Sequence, residues 1–309
     1  MSSDSPIAVF GATGPQGGAV AHAILGAGRP VRALARTPEK AAALAEAGAE
    51  VVHADLSDPR TIKAALRGAS GAFVVIPFAV DPPAHAAYVQ SALGGLRAAG
   101  APPAVFTLSG PVPAEDTGAA AFDARRAAEE AVRKSGLPVA MFTPGGYLGN
   151  FLGPWAAPAV VHEGQIPYPL PSSHRQPWIS VEDQAALALA ALDRDDFADT
   201  LAGRTFAVGR DLSGAEIAAG ISEALGKPVR WLALDPADFG AALVPVMGEA
   251  AAEMLADDYR LMAGRPEAAG LRPDLGAAPR KLGVPLTPVA EWARSQDWEA
   301  AAAVGAQAA

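Results

Sequence analysis

The chain has 309 residues, of which 50% are hydrophobic and 18% are charged, a balance typical of a folded globular protein and not of a disordered one. Its formal net charge of −9 argues against a general nucleic-acid-binding surface, and its lack of cysteine excludes disulfides and thiolate chemistry. The N-terminal residues do not resemble a secretory signal and no apolar run approaches the roughly 18 residues of a membrane span, so we expect a cytoplasmic protein with neither membrane nor nucleic-acid partners.

The first half of the chain alternates short apolar runs with helical segments. The runs are PIAVF, PVRALA, AEVVHA, GAFVVI, AVFTL and PVAMFT, and the segments between them are 15–28, 38–48, 59–68, 82–100 and 119–136. Several segments begin at proline and end at glycine, as helices often do. Strands alternating with helices of this length predict an α/β fold, a doubly wound parallel Rossmann sheet that binds its ligand at the carboxyl ends of the strands.

The alternation stops near residue 145. The stretch 145–177 is rich in Gly, Pro and Trp and predicts a long loop. PWISVEDQAALALAAL then predicts a short strand and a helix with Glu182 and Asp183 in its first turn, RTFAVG predicts a further strand, and helical patterns dominate from Ser213 onward. We expect a Rossmann domain over 1–150, with a strand and a helix from 175–210, and a smaller, mainly helical substrate subdomain formed by 151–174 and 211–309.

Three glycines follow the first predicted strand. In IAVFGATGPQGGAV, Gly11, Gly14 and Gly17 have the spacing G-x-x-G-x-x-G, which differs by one residue from the dinucleotide fingerprint G-x-G-x-x-G. Such glycines permit a sharp turn, a close approach of the backbone to a pyrophosphate, and tight packing of helix on strand. The position between the first strand and the first helix favours a nucleotide site over a packing motif, because the helix directs free N–H groups at the phosphates.

Two later positions bear on which nucleotide binds. Arg36 ends the second predicted strand, where an acidic residue would hold the ribose 2′-hydroxyl of NAD(H). Arginine suits a 2′-phosphate instead, and Lys40 would lie on the same side of the next helix, so we predict NADP(H). The alternative is that Arg36 is only an exposed charge at a strand end. Asp55 and Leu56 are predicted to line the adenine, although Asp55 could also cap a helix.

Several stretches together resemble the NmrA-like family of atypical short-chain dehydrogenases/reductases. They are VFGATGPQGGAV, ALARTPEK, HADLSD, FDARRAAEEAVRKSGLPVAMFTPGGYLGNF and PWISVEDQAALA, and the resemblance covers roughly residues 6 to 230. It implies an NADP(H)- or NAD(H)-binding Rossmann domain with a small C-terminal substrate subdomain. Some members of the family resemble quinone reductases, and others resemble redox sensors that bind the cofactor without turnover.

The resemblance also implies roles for individual residues. Cofactor contacts would come from Gly11, Thr13, Gly14, Gln16 and Gly17 at the phosphates, Arg36 and Lys40 at the 2′-phosphate, Asp55 and Leu56 at the adenine, Ile76 and Pro77 at the ribose, and Pro144 at the nicotinamide ring. Ser109, Arg125, Tyr147 and Asn150 would surround the nicotinamide. His174, in the irregular segment PSSHRQPW, could donate a proton, or it could be an exposed loop histidine. We predict no metal site, because the five histidines lack ligand spacing.

The departures from the family concern the chemistry. Arg125 stands where related reductases often have lysine, and Thr143-Pro144 replaces an Arg-Pro pair. No tyrosine is followed four residues later by lysine, so the usual proton donor of short-chain dehydrogenases is missing. Arg125 could instead lower the pKa of Tyr147 if the fold brings them together. Trp155 and Tyr168, with Trp178, could stack on an aromatic substrate or form part of the core.

We therefore predict a reductase that passes hydride from NADP(H) to a small quinone-like or conjugated carbonyl substrate, which can take its protons from water. The alternative is a non-catalytic NADP(H)-binding redox sensor that acts through a regulatory protein partner. A homodimer is also compatible with the sequence.

Overall fold

Parallel strands form the central sheet of the computed structural model, which describes residues 5–77, 81–108, 110–264 and 277–308. The strands in these ranges are β1 (Ile7–Phe10), β2 (Val31–Ala35), β3 (Glu50–His53), β4 (Gly71–Val75), β5 (Ala104–Thr107), β6 (Val139–Pro144), β7 (Gly146–Tyr147), β8 (Gln165–Tyr168), β9 (Arg175–Ile179), β10 (Thr205–Val208), β11 (Arg210–Ser213) and β12 (Arg230–Ala233). The α-helices there are α1 (Pro15–Gly26), α2 (Ala42–Glu46), α3 (Pro59–Ala65), α4 (Pro82–Ala98), α5 (Ala120–Ser135), α6 (Val181–Leu192), α7 (Phe197–Thr200), α8 (Gly214–Leu225), α9 (Pro236–Met247), α10 (Glu249–Gly264), α11 (Ala277–Leu282), α12 (Val289–Arg294) and α13 (Trp298–Ala308).

The order of the strands in the main sheet is β3-β2-β1-β4-β5-β6-β10, and every neighbouring pair is parallel. This order reverses at β1, as in a doubly wound Rossmann sheet. The six apolar runs of the first half all form strands, and RTFAVG extends the sheet as β10. The predicted fold class is therefore confirmed.

Helices cover both faces of this sheet, so its strands carry apolar side chains on both sides. Along β1, Ile7 and Val9 pack with α1 and α6 on one face, whereas Ala8 and Phe10 pack with α3, α4 and α5 on the other. The alternation follows from the two-residue period of a strand. The helices cover the two faces of the sheet but leave open the carboxyl ends of the strands, where α1 and α4 begin.

The prediction of one long loop over 145–177 is wrong in part. The stretch includes β7, a 3₁₀ turn (Leu148–Leu152), a π-helical turn (Ala159–Glu163), β8 and the start of β9. β8 pairs with β12, and β9 pairs with β7 and β11, in two small sheets beside the main one. These strands are short and their partners lie elsewhere in the chain, so no local sequence pattern predicts them.

An aromatic cluster forms the core beside these small sheets. Tyr168 and Trp178 are buried and pack against Phe151, with ring centroids 5.9 and 5.2 Å away. Trp155 lies beside Tyr168 and Phe239 at the cluster's edge. Core packing therefore accounts for Tyr168 and Trp178, the alternative to stacking on a substrate. Within the described ranges, no helix is both long and apolar enough to cross a membrane.

Candidate functional site

The glycine stretch forms the turn between β1 and α1. Gly11 has φ +68°, a left-handed conformation that glycine adopts without strain, and its carbonyl accepts a hydrogen bond from the N–H of Gly14 at 2.9 Å. The chain then enters α1 at Pro15, in the first-turn position where the missing N–H of proline is not needed.

Gly14 and Gly17 have different spatial requirements. A Cβ on Gly17 would lie 2.4 Å from the carbonyl oxygen of Gly11, so glycine there allows α1 to pack against the end of β1. A Cβ on Gly14 would meet that same oxygen at 3.4 Å, which is ordinary contact. The protein fold therefore needs glycine at 17, whereas the absence of a side chain at 14 leaves space in front of the helix.

The N-terminus of α1 carries the features of an anion site. Gly14 caps the helix without a side-chain hydrogen bond, and the first turn contains no acidic residue. Its first N–H groups therefore point outward with the positive end of the helix dipole. The side-chain oxygen Oε1 of Gln16 is buried at this end and accepts no hydrogen bond from the described residues. The free N–H groups of this turn are donors that fit the phosphates of a nucleotide.

A cleft of about 380 Å³ opens beside this turn at the carboxyl edge of the sheet. It brings together seven of the predicted cofactor residues with others that were not predicted. Its lining residues are Phe10, Gly11, Thr13, Gly14, Leu34, Ala35, Arg36, Ala54, Asp55, Leu56, Val75, Pro77 and Tyr88. Gln16 and Gly17 adjoin it on the first turn of α1.

Arg36 follows the last residue of β2 and lines the cleft with an exposed side chain. Among the described residues its guanidinium has no ion-pair partner, and its charge acts on Asp55 across the cleft. Lys40 is exposed on the 3₁₀ turn Pro38–Ala41, where its N–H donates to Thr37, but it does not line the cleft. Among the described residues that line the cleft, Arg36 is thus the cation available to a 2′-phosphate.

Asp55 does not cap a helix, so that alternative is wrong. The cap of α3 is Asp58, which accepts a hydrogen bond from the N–H of Arg60 at 3.1 Å. Asp55 instead accepts from the N–H and hydroxyl of Ser57 at 2.8 and 2.7 Å. These hydrogen bonds, with the charge of Arg36, hold the pKa of Asp55 below its ordinary value. Asp55 is therefore an ionised acceptor in the cleft at neutral pH.

The predicted residues at the other end of the cofactor are less closely grouped. Pro77 lines the cleft, whereas Ile76 is 1% exposed and its N–H donates to the carbonyl of Thr107 at 3.1 Å. Pro144 is buried at the end of β6, paired in register with Val208. Ser109 lies outside the described residues.

Tyr147 lies over the end of β5 with its hydroxyl turned inward. This hydroxyl is buried and makes no hydrogen bond with the described residues, while Thr107 and Gln184 face it. Gln184, fully buried on α6, donates to the hydroxyl of Thr107 at 2.8 Å. Burial raises the pKa of Tyr147, an effect that these two neutral neighbours only moderate. The surroundings thus keep the phenol protonated, and within the described ranges no cation faces it to make it a strong acid.

Arg125 is a buried cation on α5. Its Nη2 lies 2.9 Å from Oδ2 of Asp258 on α10, and its Nε donates to the carbonyl of Pro111 at 3.0 Å. The guanidinium also lies 4.3 Å from the ring centroid of Phe122. Lys134, in contrast, pairs with Glu130 on the solvent-facing side of the helix. Arg125 is therefore fixed within the protein, where its charge partly offsets the burial that raises the pKa of Asp258.

The last two predicted residues, Asn150 and His174, do not line the cleft. Asn150 is exposed on the 3₁₀ turn after β7. His174 is half-buried just before β9, near the start of α8, and burial lowers its pKa. Five residues of chain, about 16 Å when extended, separate His174 from the end of β9 that pairs with Tyr147. The structure does not bring His174 to the cleft, and its role stays a prediction.

Sequence reasoning missed four polar residues near the carboxyl edge. Thr107 lies near the end of a predicted strand, and Gln184 lies near the start of a predicted helix, so neither pattern points to a functional role. Asp258 lies 133 residues from its partner Arg125, so no spacing rule could connect them. Burial and the charge of Arg125 lower the pKa of His85, a residue of the first turn of α4. The fold alone reveals these proximities.

The chain is similar to known proteins over most of its length. The model of the NmrA-like family matches residues 3–293. The chain is 32% identical over 303 residues to the NAD(P)H azoreductase of Xenophilus azovorans, covering 97% of this chain and 99% of that one. An NADPH-dependent quinone oxidoreductase of Escherichia coli, solved with NADPH, is 25% identical, covers 93% of this chain and 98% of its own, and has a TM-score of 0.70. The NADP(H) complex of a Citrobacter sp. triphenylmethane reductase, 24% identical over 93% of this chain and 99% of its own, shares the fold with a TM-score of 0.73.

Proposed function

Because the chain belongs to the NmrA-like family, we propose that it is an NADP(H)-dependent reductase acting on small conjugated acceptors of the quinone or azo type. The azoreductase spans nearly the whole chain at 32% identity, and the quinone oxidoreductase is similar over 93% of it. Both are named as reductases that use this class of cofactor.

One observation carries the proposal, namely the cleft at the carboxyl edge of the sheet. It joins the free N-terminus of α1, the space in front of Gly14 and the cation of Arg36 in one place. Phosphates bind favourably at a helix N-terminus, and a guanidinium holds a further phosphate through charge-assisted hydrogen bonds. Asp55 and Leu56 line the part of the cleft nearest β3, where the adenine would lie.

The order of the strands sets the direction of the cofactor. Arg36 follows β2 and Asp55 follows β3, so the adenosine half lies on that side of β1. The reacting half then extends over β4, β5 and β6, toward Tyr147 and Arg125. Segments 151–174 and 211–309 would close the substrate side of this edge.

NADP(H) supplies the hydride when bound, and the chain supplies orientation and electrostatics. The guanidinium of Arg125 is held by Asp258, and no cation among the described residues faces Tyr147 to make it a strong acid. An arrangement without a strong acid suits conjugated acceptors, whose reduced oxygen or nitrogen atoms can take protons from water.

Oxidation of NADPH, measured against a panel of quinones, azo dyes, enones, imines and aldehydes, tests the proposal. We expect turnover with at least one quinone or azo compound, and no turnover by the Gly14→Val variant. Tight NADPH binding without oxidation by any acceptor would contradict the reductase and favour the redox sensor. The relatives named above are reductases and do not favour that alternative.

A further inference from the structure

A buried carboxylate on α10 has one oxygen that no described residue satisfies. Asp258 bonds Arg125 through Oδ2, and the two side chains are 7% and 6% exposed. Its other oxygen, Oδ1, is buried and accepts no hydrogen bond from the described part of the chain. A desolvated carboxylate oxygen without a donor is costly, so this atom is a place where a hydrogen-bond donor of a ligand would bind favourably.

The ion pair lies beyond the nucleotide cleft, on the side of β5. Val75 and Pro77, at the end of β4, line the nucleotide cleft, and β5 is the next strand of the sheet. Arg125 is held by Pro111, in the segment that follows β5. On α4, Tyr88 lines the nucleotide cleft, whereas His85, one turn earlier, lies within the influence of Arg125. The pair is therefore placed toward the reacting half of a bound dinucleotide.

A second cleft, of about 800 Å³, has Asp258 in its wall. It lies between α10 and the segment 117–121, which includes the first two residues of α5. Small or apolar residues make up much of its lining, including three consecutive alanines at 119–121, Met254 and Leu261. Small and apolar walls of this kind suit an aromatic ring.

We propose that this second cleft takes the aromatic substrate, and that Oδ1 of Asp258 accepts a hydrogen bond from an O–H or N–H group of the reduced product. The proposal rests on the reductase function above. Reduction converts a quinone oxygen or an azo nitrogen from an acceptor into a donor, and Asp258 recognises that change. Arg125 is then a positioning residue, since it fixes the carboxylate through Oδ2. The substrates are aromatic acceptors whose reduced forms carry hydroxyl or amino groups.

Binding of two redox-inert probes to the full chain tests this assignment. The probes are 2,7-dihydroxynaphthalene, which has two donors, and its dimethyl ether, which has none. We expect the parent protein to bind the diol roughly 10- to 100-fold more tightly than the ether, the range for one hydrogen bond to a charged group. Calorimetric titration gives both affinities without cofactor turnover.

Asp258→Asn should abolish this preference. The amide keeps an oxygen for Arg125 but places an NH₂ group where Oδ1 stands, so the diol should bind no better than the ether. Asp257→Asn is the matched control, because Asp257 lines the same cleft but pairs with Arg260 at the surface. That variant should keep the preference of the parent protein.

A second variant is needed because Asp258→Asn leaves Arg125 buried without a counter-charge, which destabilises the fold. Arg125→Gln/Asp258→Asn removes both charges together, and we expect it to fold and to lose the preference as well. Equal affinities of the parent protein for the two probes, or a preference that survives in either Asp258 variant, would overturn the assignment. NADPH binding, measured on the same samples, reports on the cofactor site separately. Failure of the parent protein to bind NADPH would contradict the proposed function and not this assignment.

Discussion

At the scale of single residues, the glycine stretch separates a structural requirement from a functional one. A Cβ at position 17 would lie 2.4 Å from a backbone oxygen, whereas position 14 has extended dihedral angles and room for a side chain. We expect Gly17→Ala to lower the free energy of unfolding by about 1–3 kcal/mol, the usual cost of overpacking.

Gly14→Val should keep the parent's unfolding temperature and abolish NADPH binding, because its side chain fills the phosphate space. Normal NADPH binding by Gly14→Val would show that the stretch is only a packing motif.

Arg36 is expected to set the preference for NADPH over NADH. One charge-assisted hydrogen bond contributes about 1.5–3 kcal/mol, which corresponds to roughly a 10- to 100-fold difference in affinity. Arg36→Ala should remove most of that difference and leave NADH binding nearly unchanged. Lys40→Ala should have a smaller effect, since Lys40 does not line the cleft. Equal affinities of the parent protein for the two cofactors, measured by titration, would refute this role.

Tyr147 is expected to matter more for shape than for proton transfer. Its hydroxyl is buried, protonated and without a hydrogen bond among the described residues, so Tyr147→Phe removes no established contact. We expect turnover to fall by no more than about 10-fold, short of the roughly 10²–10⁴ that accompanies loss of a general acid. The unfolding temperature should stay the same or rise. A turnover loss near the upper figure, with NADPH affinity intact, would identify Tyr147 as the proton donor.

At the scale of elements, the junction of α4, α5 and α10 predicts a dependence of stability on pH. Burial and the charge of Arg125 lower the pKa of His85 below its ordinary value of 6.5. The unfolded chain therefore binds this proton more readily than the folded protein. The contribution of His85 is fully present above about pH 6.5, and it is lost as the pH falls toward the folded pKa.

Urea denaturation measured between about pH 7.5 and about pH 5.5 checks this dependence. His85→Gln should lose less free energy of unfolding across that interval than the parent protein does. His22→Gln, which changes an exposed histidine on α1, should behave as the parent protein does. Identical pH slopes for the parent protein and His85→Gln would contradict the placement of His85 beside Arg125.

The elements also show which parts of the fold the sequence predicts. Strands buried on both faces, such as PIAVF and GAFVVI, form continuous apolar runs, and proline and glycine mark the helix ends. The strands of the main sheet could therefore be predicted from the sequence. β7, β8, β11 and β12 have two to four residues each and depend on partners far along the chain. Their stabilisation comes from pairing and from the aromatic cluster, neither of which leaves a local pattern.

At the scale of the whole molecule, many of the residues that line the proposed cofactor cleft could be predicted, whereas the contacts on the proposed substrate side could not. The phosphate turn and Arg36 are local features of β1 and β2, so their spacing in the sequence carries the information. The pair of Arg125 and Asp258 joins α5 to α10 across 133 residues, and the burial of Tyr147 depends on α6. Such contacts exist only once the C-terminal elements have packed against the sheet.

We propose that this edge of the sheet directs hydride from NADPH to a conjugated acceptor. Single-turnover oxidation of NADPH deuterated at C4, on the pro-R or the pro-S face, tests this transfer. With a quinone as acceptor, we predict that deuterium on one face slows the reaction and deuterium on the other does not, because a fixed orientation presents a single face. Bound NADPH that is oxidised at the same rate whichever face is labelled, or that is not oxidised at all, would contradict the account.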